Sequence, residues 1–494
     1  MNCENMGARA LPDRKFKSLA QPLLAAGLLA CVASNPARAD GPVAAPVVPP
    51  AHTALTYDED YSYLKDPAVR NNIVDHLKFI PLDPTGNAYL TLGGQFRDRY
   101  EYFNNYLFGK GPQSDDGYNL IRGLFDADLH LGPYLRLFTE GITATEQGRD
   151  GGPRPSDVNN IDLYQAFADF IVPLGTDASL TARGGRQVMV FGAQRLIGVS
   201  DFTNVRRNDD GVRATLATPG NKLDVFYVRP VQVLPYEFDN NVPATYLTGV
   251  YDTWKLPGYL ETLNSTLETY ALLNGRRSIT FNSTTGSERR YTFGSRFTTN
   301  PKPWDYDLEA DYQYGTFNGQ SGHAFSIATI GGYRFEQVKF EPRAFLGFDI
   351  ASGGNRNNPG ETFDQLFPSG HDQFGTIDAL GRQNIIDVHP GFTLNLLKEE
   401  PAARLVTLLV QYRQFWRENN QDASYTSSGS ILRTSGTSDS TAIGGEVDTQ
   451  VNWQFNHYIS AYAGYAHFFH GEFIAETGPA NDIDFAYTAL TVTF

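Results

Sequence analysis

Cysteine is almost absent from this sequence of 494 residues, which contains only two. Both of them, Cys3 and Cys31, lie within the first 39 residues, so positions 40–494 contain none. Disulfide bonds, thiolate catalysis and cysteine-ligated metals are therefore excluded from that region. Its stability and its chemistry must come from other groups.

Long apolar runs and an excess of basic residues are also missing. After residue 39, no segment approaches the roughly 18 consecutive apolar residues that a transmembrane helix needs. The first 39 residues contain five of the 40 basic and two of the 55 acidic residues, so the remainder has a net charge of −18. Domains that bind nucleic acid are usually basic, and we expect no nucleic-acid partner.

The beginning of the chain has the composition of a secretory signal peptide. A basic stretch at 9–17 precedes an apolar run at 19–33, and Ala37-Arg38-Ala39 follows as the small-x-small pattern of a signal-peptidase site. We therefore expect residues 1–39 to be removed after that tripeptide. Residues 40–87 begin with a Pro- and Ala-rich stretch and are expected to be a periplasmic linker or lead-in.

Residues 88–494 show a repeated alternation of apolar and polar side chains. In the segment 304–314, the even-numbered residues are apolar or aromatic and the odd-numbered residues are acidic or Gln. An amphipathic helix cannot produce this pattern, because residues two apart lie on opposite sides of a helix. Similar alternation occurs at 90–102, 338–350 and 446–455. The sequence predicts an all-β fold, an antiparallel transmembrane barrel of about 18 strands like that of a porin.

Alternation alone also fits a soluble β-sandwich, so other features decide between the two. The secretory signal, an aromatic content of 13% and a last strand that ends on Phe494 favour a multi-pass barrel in the bacterial outer membrane. A strand ending on an aromatic residue resembles the signal read by the outer-membrane assembly machinery, which becomes an expected partner together with outer-membrane lipid. Polar stretches at 147–159, 278–288, 351–384 and 418–441 predict loops. We expect no separate globular plug.

Four short strings of residues occur in order along residues 88–494. They are Gly185-Arg186-Gln187 with Phe191-Gly192, Arg195-Leu196, Asn204, Arg207 and Asp210-Gly211-Val212-Arg213; Pro342-Arg343 with Ala351-Ser352-Gly353, Thr362-Phe363, Leu366-Phe367-Pro368 and His371; Asn384 to Gly391 with Phe415-Trp416-Arg417, Asp422-Ala423 and Tyr425; and Ile443-Gly444-Gly445-Glu446 with Asp448. Taken together, these strings resemble the alginate export family of outer-membrane proteins. The chain departs from the family pattern at Asp209, where an aromatic residue is usual, and at Gly354, where an acidic residue is common.

The resemblance implies an 18-stranded barrel whose arginine-lined constriction passes an anionic polysaccharide outward. Arginine suits this task because its planar guanidinium pairs with carboxylates and stays charged, and arginine rings can give a pore anion selectivity. Candidates on predicted lumen faces are Arg97, Arg99, Arg122, Arg136, Arg290, Arg296, Arg343 and Arg413. The resemblance adds Arg186, Arg195, Arg207 and Arg213.

Two points about these arginines stay open. Each could pair with a lumen carboxylate and serve only to fix the lumen. The face occupied by Arg186 is undecided, because Gly184-Gly185 could form a bulge that switches faces.

Other chemistry has little support in the sequence. His467 and His470 would face opposite sides of a strand, so we expect no metal site there. The acidic pairs Asp115-Asp116 and Asp209-Asp210 could hold Ca²⁺, although solvated loop charge explains them as well. No convincing Ser/His/Asp set indicates an enzyme, and no cofactor is expected.

Three functions therefore remain. The first is export of an anionic, alginate-like polysaccharide through an outer-membrane channel. The second is selective uptake of small anions or sugars, and the third is a barrel enzyme or adhesin.

Overall fold

The computed structural model describes residues 49–371, 373–399 and 404–494. The predicted signal peptide and the start of the predicted lead-in lie outside these residues. Within the described residues, no helix is both long and apolar enough to cross a membrane.

Eighteen long antiparallel strands form one closed barrel within the described part of the chain. The strands are β1 (Ala88–Asn104), β2 (Asp115–Leu131), β3 (Leu135–Gln147), β4 (Asn159–Pro173), β5 (Ser179–Gln187), β6 (Asp209–Thr218), β7 (Asn221–Gln232), β8 (Tyr246–Lys255), β9 (Thr266–Phe281), β10 (Thr284–Thr299), β11 (Trp304–Phe317), β12 (Gln320–Arg334), β13 (Arg343–Ala351), β14 (Ile385–Glu399), β15 (Arg404–Trp416), β16 (Ala442–Gln454), β17 (Ile459–His470) and β18 (Ile483–Thr493). Each strand pairs with the next, and β18 pairs with β1, for example Gln95 opposite Thr493. The predicted fold class and strand number are confirmed.

Smaller elements lie before the barrel and in its connections. Among the described residues, the α-helices are α1 (Ile73–Lys78), α2 (Tyr259–Thr262) and α3 (Glu472–Thr477), and the 3₁₀ turns are Thr56–Asp58, Ser62–Lys65, Pro67–Val69, Tyr106–Gly109 and Pro359–Glu361. Short strands are Ile80–Pro81 beside β1, Asn240–Asn241 beside β7, and the pair Ser424–Tyr425 and Ile431–Arg433. None of these elements interrupts the barrel.

The connections at the two ends of the barrel differ in length. One end carries long loops, which include residues 188–208, 352–384 and 417–441, while the other end carries mostly short turns. Outer-membrane barrels place short turns in the periplasm and long loops outside the cell, so the long-loop end is extracellular.

Two local predictions are wrong. The expected loop at 278–288 is instead the tight hairpin of β9 and β10, and the strand expected from 338 begins only at Arg343. Asn282 and Ser283 turn the hairpin with φ of 43° and 68°. Positive φ at both central residues is typical of two-residue hairpins, which explains why a polar stretch continues the sheet here.

The two faces of the strands have opposite character, as the alternation predicts. On β1 and β2 the outward side chains include Phe96 and Phe125, which are 43% and 61% exposed. The inward side chains include Arg97, Arg99 and Arg122, which are at most 3% exposed. An apolar outer surface around a polar interior is the arrangement of a barrel that meets lipid.

Two long extracellular loops fold into the lumen. Loop A (188–208) and loop B (352–384) are joined by a short parallel bridge, in which Gly198 N donates to the Phe367 carbonyl at 3.0 Å and Phe367 N donates to that of Leu196 at 2.8 Å. Apolar side chains of both loops pack in one cluster with inward residues of the strands. The lumen is thus largely filled by the protein's own loops.

Residues 49–79 pack against inward-facing side chains near the periplasmic end. The Tyr57 ring contacts Phe138 and Phe167 edge-on, with ring centroids 5.3 and 5.1 Å away. Phe79 stacks on Tyr89 with ring centroids 4.5 Å apart. A short N-terminal segment therefore occupies part of the lumen from below.

Candidate functional site

Among the described residues, two adjoining cavities lie between the inserted loops and the barrel wall. The periplasmic cavity has a volume of about 460 Å³ and lies between β1, β16–β18, loop A and residues 52–54 of the N-terminal segment. The extracellular vestibule, of about 1040 Å³, is lined by residues of the loops 105–114, 148–158, 233–245 and 417–441. A solute crossing the barrel by this route would meet both.

The two cavities share Phe202, Arg206 and His371 in their walls. The Phe202 ring, from loop A, stacks on the His371 ring, from loop B, with centroids 3.4 Å apart and planes 7° apart. The guanidinium carbon of Arg99 lies 4.0 Å from the centroid of the Phe202 ring. A stacked aromatic pair beside a guanidinium group thus separates the vestibule from the periplasmic cavity.

Arginines of the barrel wall hold loop A in place. Arg97 donates to the carbonyl oxygens of Asp201, Phe202 and Thr203 at 2.8, 3.1 and 3.0 Å. Arg122 donates to the carbonyl of Asp201 at 2.9 Å and to its carboxylate at 2.8 Å. Because neighbouring inward positions of β1 and β2 supply both groups, the register of these strands fixes where the loop sits.

Arg99 has a similar role one pleat further along β1. Its guanidinium donates to the Phe202 carbonyl and pairs with Glu101 at 2.7 Å. Arg206, within loop A, pairs with the Asp201 carboxylate at 2.5 Å. Loop A is therefore held by guanidinium groups of β1 and β2 and by an ion pair of its own.

A buried amide completes the attachment of loop A. Asn204 is fully buried, and its Nδ2 lies 3.1, 3.0 and 2.9 Å from the carbonyl oxygens of Ile121, Thr145 and Asp157. These carbonyls belong to β2, to β3 and to the loop after β3. One side chain thus joins loop A to three separate segments.

Three other predicted arginines contact the inserted loops. Arg207 of loop A donates to the Pro368 carbonyl of loop B at 2.8 Å. Arg195 of loop A pairs with carboxylates of β11, at 3.0 and 2.7 Å. Arg413 of β15 donates to the Gln373 carbonyl of loop B at 3.1 Å and pairs with Asp387.

The remaining predicted arginines lie away from both cavities. Arg136 donates to the Tyr57 carbonyl of the N-terminal segment and to Asp128. Arg213 pairs with Asp224 at 2.8 Å, and Arg343 pairs with Asp305 near the periplasmic end. The other two candidates from lumen faces pair with acids of the wall, Arg290 with Glu288 and Arg296 with Glu268 and Asp307.

Arg186 lies on the outer face of β5. Register continues through Gly184 and Gly185 without a shift, so Arg186 shares the face of the exposed Leu180. Its guanidinium pairs with Asp210 at 2.8 Å. Of the twelve candidate arginines, Arg97, Arg99, Arg122 and Arg207 line the two cavities.

Several cavity residues were not predicted from the sequence. Arg206 and His371 lie beside or within the family-like strings, which was a usable signal. The sequence contains no comparable signal for Phe202, Arg149 and Arg154. Their positions depend on loops that fold into the lumen or over the vestibule.

An Asp-Asp-His cluster lies in the barrel wall beside loop B. Asp349, Asp387 and His389 are buried with ligand atoms close enough to surround a cation. However, Arg382 donates to Asp349 at 2.8 Å and Arg413 pairs with Asp387 at 2.5 Å. Guanidinium charges already compensate these carboxylates, so the donor set does not favour a metal ion.

The acidic and histidine pairs singled out in the sequence lie at the ends of strands. Asp115-Asp116 and Asp209-Asp210 begin β2 and β6, where Ca²⁺ binding stays a prediction. His467 and His470 both reach Asp482, with N–O distances of 3.9 and 2.6 Å.

Positive charge predominates in both cavities. The vestibule wall has six basic side chains, Arg99, Lys110, Arg149, Arg154, Arg206 and Arg207, against three acidic ones, Glu101, Asp157 and Asp378. The periplasmic cavity has three arginines against Asp201, with three histidines besides. The whole chain has a net charge of −15, so the charge of these two cavity walls is opposite in sign to that of the protein.

Solved structures with the same fold are bacterial outer-membrane proteins. OccAB1 of Acinetobacter baumannii is 10% identical with a TM-score of 0.56, and the match covers 82% of this chain and 96% of OccAB1. OccK2 (OpdF) of Pseudomonas aeruginosa is 8% identical with a TM-score of 0.55, and the match covers 82% of this chain and 97% of OccK2. A second structure of OccK2, in complex with glucuronate, is 9% identical with a TM-score of 0.52, and the match covers 82% of this chain and 98% of that one. At these identities the likeness establishes the fold.

No sequence among curated proteins matches this chain significantly. The family model described as "Alginate export", in contrast, matches residues 88–486, which is nearly the whole barrel. The closed barrel, its porin-like neighbours and this match make the protein an outer-membrane channel. The chain belongs to the alginate export family.

Proposed function

We propose that this outer-membrane channel selects small anionic solutes. The observation that carries the proposal is the excess of basic side chains in both cavities of a strongly acidic protein. Charges separated by more than the Debye length, about 8 Å at physiological salt, are largely screened. A permeating ion therefore responds to the cavity walls and not to the net charge of the chain.

The size of the cavities favours a small solute over a polymer. Volumes of about 460 and 1040 Å³ are in the range of sites that bind single small molecules. The stacked rings of Phe202 and His371 interrupt the path between them. A small anion needs only a local opening of this pair, whereas a polysaccharide chain needs a continuous wide path.

Arg206 is the residue best placed to pass an anion between the cavities. It lines both of them and lies beside the stacked rings. Conduction requires sites that attract the solute without holding it too tightly. Because Arg206 already pairs with Asp201, a carboxylate solute must compete for its guanidinium, which weakens retention of the solute where the two cavities meet.

A neighbour in fold supports a carboxylate as the solute. One structure of OccK2 holds glucuronate, a sugar acid. An 18-stranded barrel of this shape can thus admit a monomeric organic anion. By analogy, we propose small carboxylates as the solutes that pass through this channel.

The second candidate is export of an anionic polysaccharide, which the family match favours. Loops A and B would then have to move apart and open the lumen. The same positive charges would attract the uronate carboxylates of the chain.

Planar-bilayer recordings test the proposal. In a KCl gradient, the purified channel is expected to prefer Cl⁻ over K⁺, and Arg206→Gln and Arg99→Gln are expected to reduce this preference. Arg186→Gln is the matched control, because Arg186 lies on the outer face of β5. A wild-type channel that prefers K⁺ would overturn the proposal.

Liposome swelling separates the two candidates. Monomeric uronate should enter channel-containing liposomes while oligouronates should not. Entry of oligouronates at a comparable rate would favour the export function.

A further inference from the structure

We infer that the extracellular vestibule is a binding site for carboxylates with an apolar ring, such as aromatic carboxylates, in preference to hydroxylated sugar acids. The inference rests on the proposed anion channel and specifies its solute. It follows from the chemistry of the two cavities, which differs although both are positively charged.

One side of the vestibule is apolar. Val233, Leu234 and Pro235, from the loop after β7, and Ile431 line the cavity, and all four are partly exposed. Such a surface gains free energy from covering a ring or hydrocarbon, at about 25 cal/mol per Å² of apolar area removed from water. It offers nothing to the hydroxyl groups of a sugar, which would lose hydrogen bonds to water there.

The three acidic groups of the vestibule, which could accept hydrogen bonds from sugar hydroxyls, all have partners within the protein; that of Asp378 is His371, whose Nδ1 lies 2.9 Å from the carboxylate. Glu101 pairs with Arg99 and accepts a hydrogen bond from Tyr118. Asp157 pairs with Arg149 at 2.9 Å and accepts the backbone N–H of Arg154 at 2.7 Å. These carboxylates are thereby held by neighbouring groups of the protein.

The cation that could receive the solute is Arg154. Its guanidinium carbon lies 4.1 Å from the centroid of the Tyr106 ring. Among the described residues, its side chain forms no hydrogen bond or ion pair with an acid, unlike those of Arg99 and Arg149. A guanidinium without a carboxylate partner, resting on an aromatic ring in a partly apolar cavity, suits an anion whose other end is apolar.

The periplasmic cavity has the contrasting composition. Both walls carry Ser and Thr hydroxyl groups, but the periplasmic wall adds the amides Gln95, Gln450, Asn452 and Gln454, and among the described residues Ala54 is its one aliphatic side chain. This wall offers hydrogen bonds to any polar solute and little aliphatic surface to a ring. Discrimination between apolar and hydroxylated carboxylates is therefore assigned to the vestibule.

Benzoate and shikimate are suitable probes, because both are singly charged six-membered-ring carboxylates and only shikimate carries ring hydroxyls. Each is added to the extracellular side of a single orientated channel, and the concentration that halves the chloride current is measured. Benzoate is expected to act at a concentration about tenfold lower than shikimate. Equal action, or stronger action of shikimate, by a channel that remains anion-selective overturns this inference and leaves the proposed function intact. A cation-selective channel overturns the proposed function.

Variants locate the preference. Val233→Ser with Leu234→Ser should reduce the preference for benzoate about fivefold and leave the Cl⁻ over K⁺ selectivity unchanged. Arg154→Gln should weaken the block of the chloride current by benzoate and by shikimate to the same extent. Leu174→Ser, the same kind of change in an exposed periplasmic turn, is the control.

Heat-modifiable migration on gels checks that each variant folds. If the double variant does not assemble, Ile431→Ser tests the same cavity from another loop. A benzoate preference that persists in an assembled vestibule variant refutes the assignment to this wall.

Discussion

Replacing Tyr57 by alanine should release part of the N-terminal segment from the periplasmic end of the lumen. Tyr57 is 5% exposed, and its ring packs between Phe138 and Phe167. The guanidinium carbon of Arg183 lies 4.3 Å from the ring centroid, which adds a cation–π contact. Deleting a buried aromatic side chain typically costs about 3–5 kcal/mol.

This loss acts on docking of the segment and not on the barrel, whose strands keep every backbone hydrogen bond. A change of about 3 kcal/mol shifts the equilibrium between docked and released segment by roughly 100-fold, since about 1.4 kcal/mol corresponds to a factor of ten. Residues 52–54 form part of the wall of the periplasmic cavity. Their release should widen the path and raise single-channel conductance.

Two measurements check this prediction. Limited proteolysis should cut the variant within residues 49–60 much faster than the unmodified protein, and bilayer recordings should show larger or more variable currents. Tyr57→Phe is the matched control, because it keeps the ring and loses only the contacts of the hydroxyl, which lies 3.5 Å from the Val188 carbonyl and also interacts with Arg183. An assembled Tyr57→Ala channel with unchanged conductance and unchanged protease resistance would refute the reasoning.

Three other features give direct predictions. Asn204→Ala removes the hydrogen-bond donor of three buried carbonyls, and each carbonyl left unpaired costs about 1–3 kcal/mol. Loop A should therefore become sensitive to trypsin in assembled channels. Continued resistance to trypsin would contradict the role given to this amide. Burial, with the charge of Asp162, raises the pKa of Asp239 to about 6, so the loop 233–245 should be stabilised by protonation. That stabilisation is complete below the ordinary pKa of 3.8 and is lost as pH rises through about 6. Hydrogen exchange of the loop's backbone amides, corrected for intrinsic rates, should therefore become faster over this pH range. Asp239→Asn should abolish the pH dependence. Phe494→Ala should lower the heat-modifiable, assembled fraction in outer membranes, with Phe494→Tyr as control; equal assembly of both would contradict a role for the aromatic ring.

The barrel could be predicted from the sequence because strand alternation is a local property. The odd-numbered positions of β1 that carry Arg97 and Arg99 face the lumen in the structure, as the pattern around Phe96 and Tyr100 indicates. One strand contains all the information needed for this assignment, since side chains two apart share a face.

The inserted loops could not be predicted in the same way. Loop A stays in the lumen through Asn204, whose partners lie 83, 59 and 47 residues away in sequence. It also depends on Arg122 meeting Asp201, which are 79 residues apart. No periodicity within loop A records these contacts, so the stacked rings and the two cavities emerge only from the assembled barrel.

At Arg97, one of the wall arginines that hold loop A, hydrogen bonding is separated from charge compensation. A peptide carbonyl accepts hydrogen bonds from a guanidinium group but carries no net charge, so Arg97 is immobilised by three carbonyls and remains a full cation. Because these carbonyls belong to the backbone, substitutions of loop side chains can change the bore while the fixed charge of the wall persists. The width of the passage and its charge can therefore change independently of each other among related barrels. A barrel that comes to accept a solute of another size can keep the same arginines to attract it.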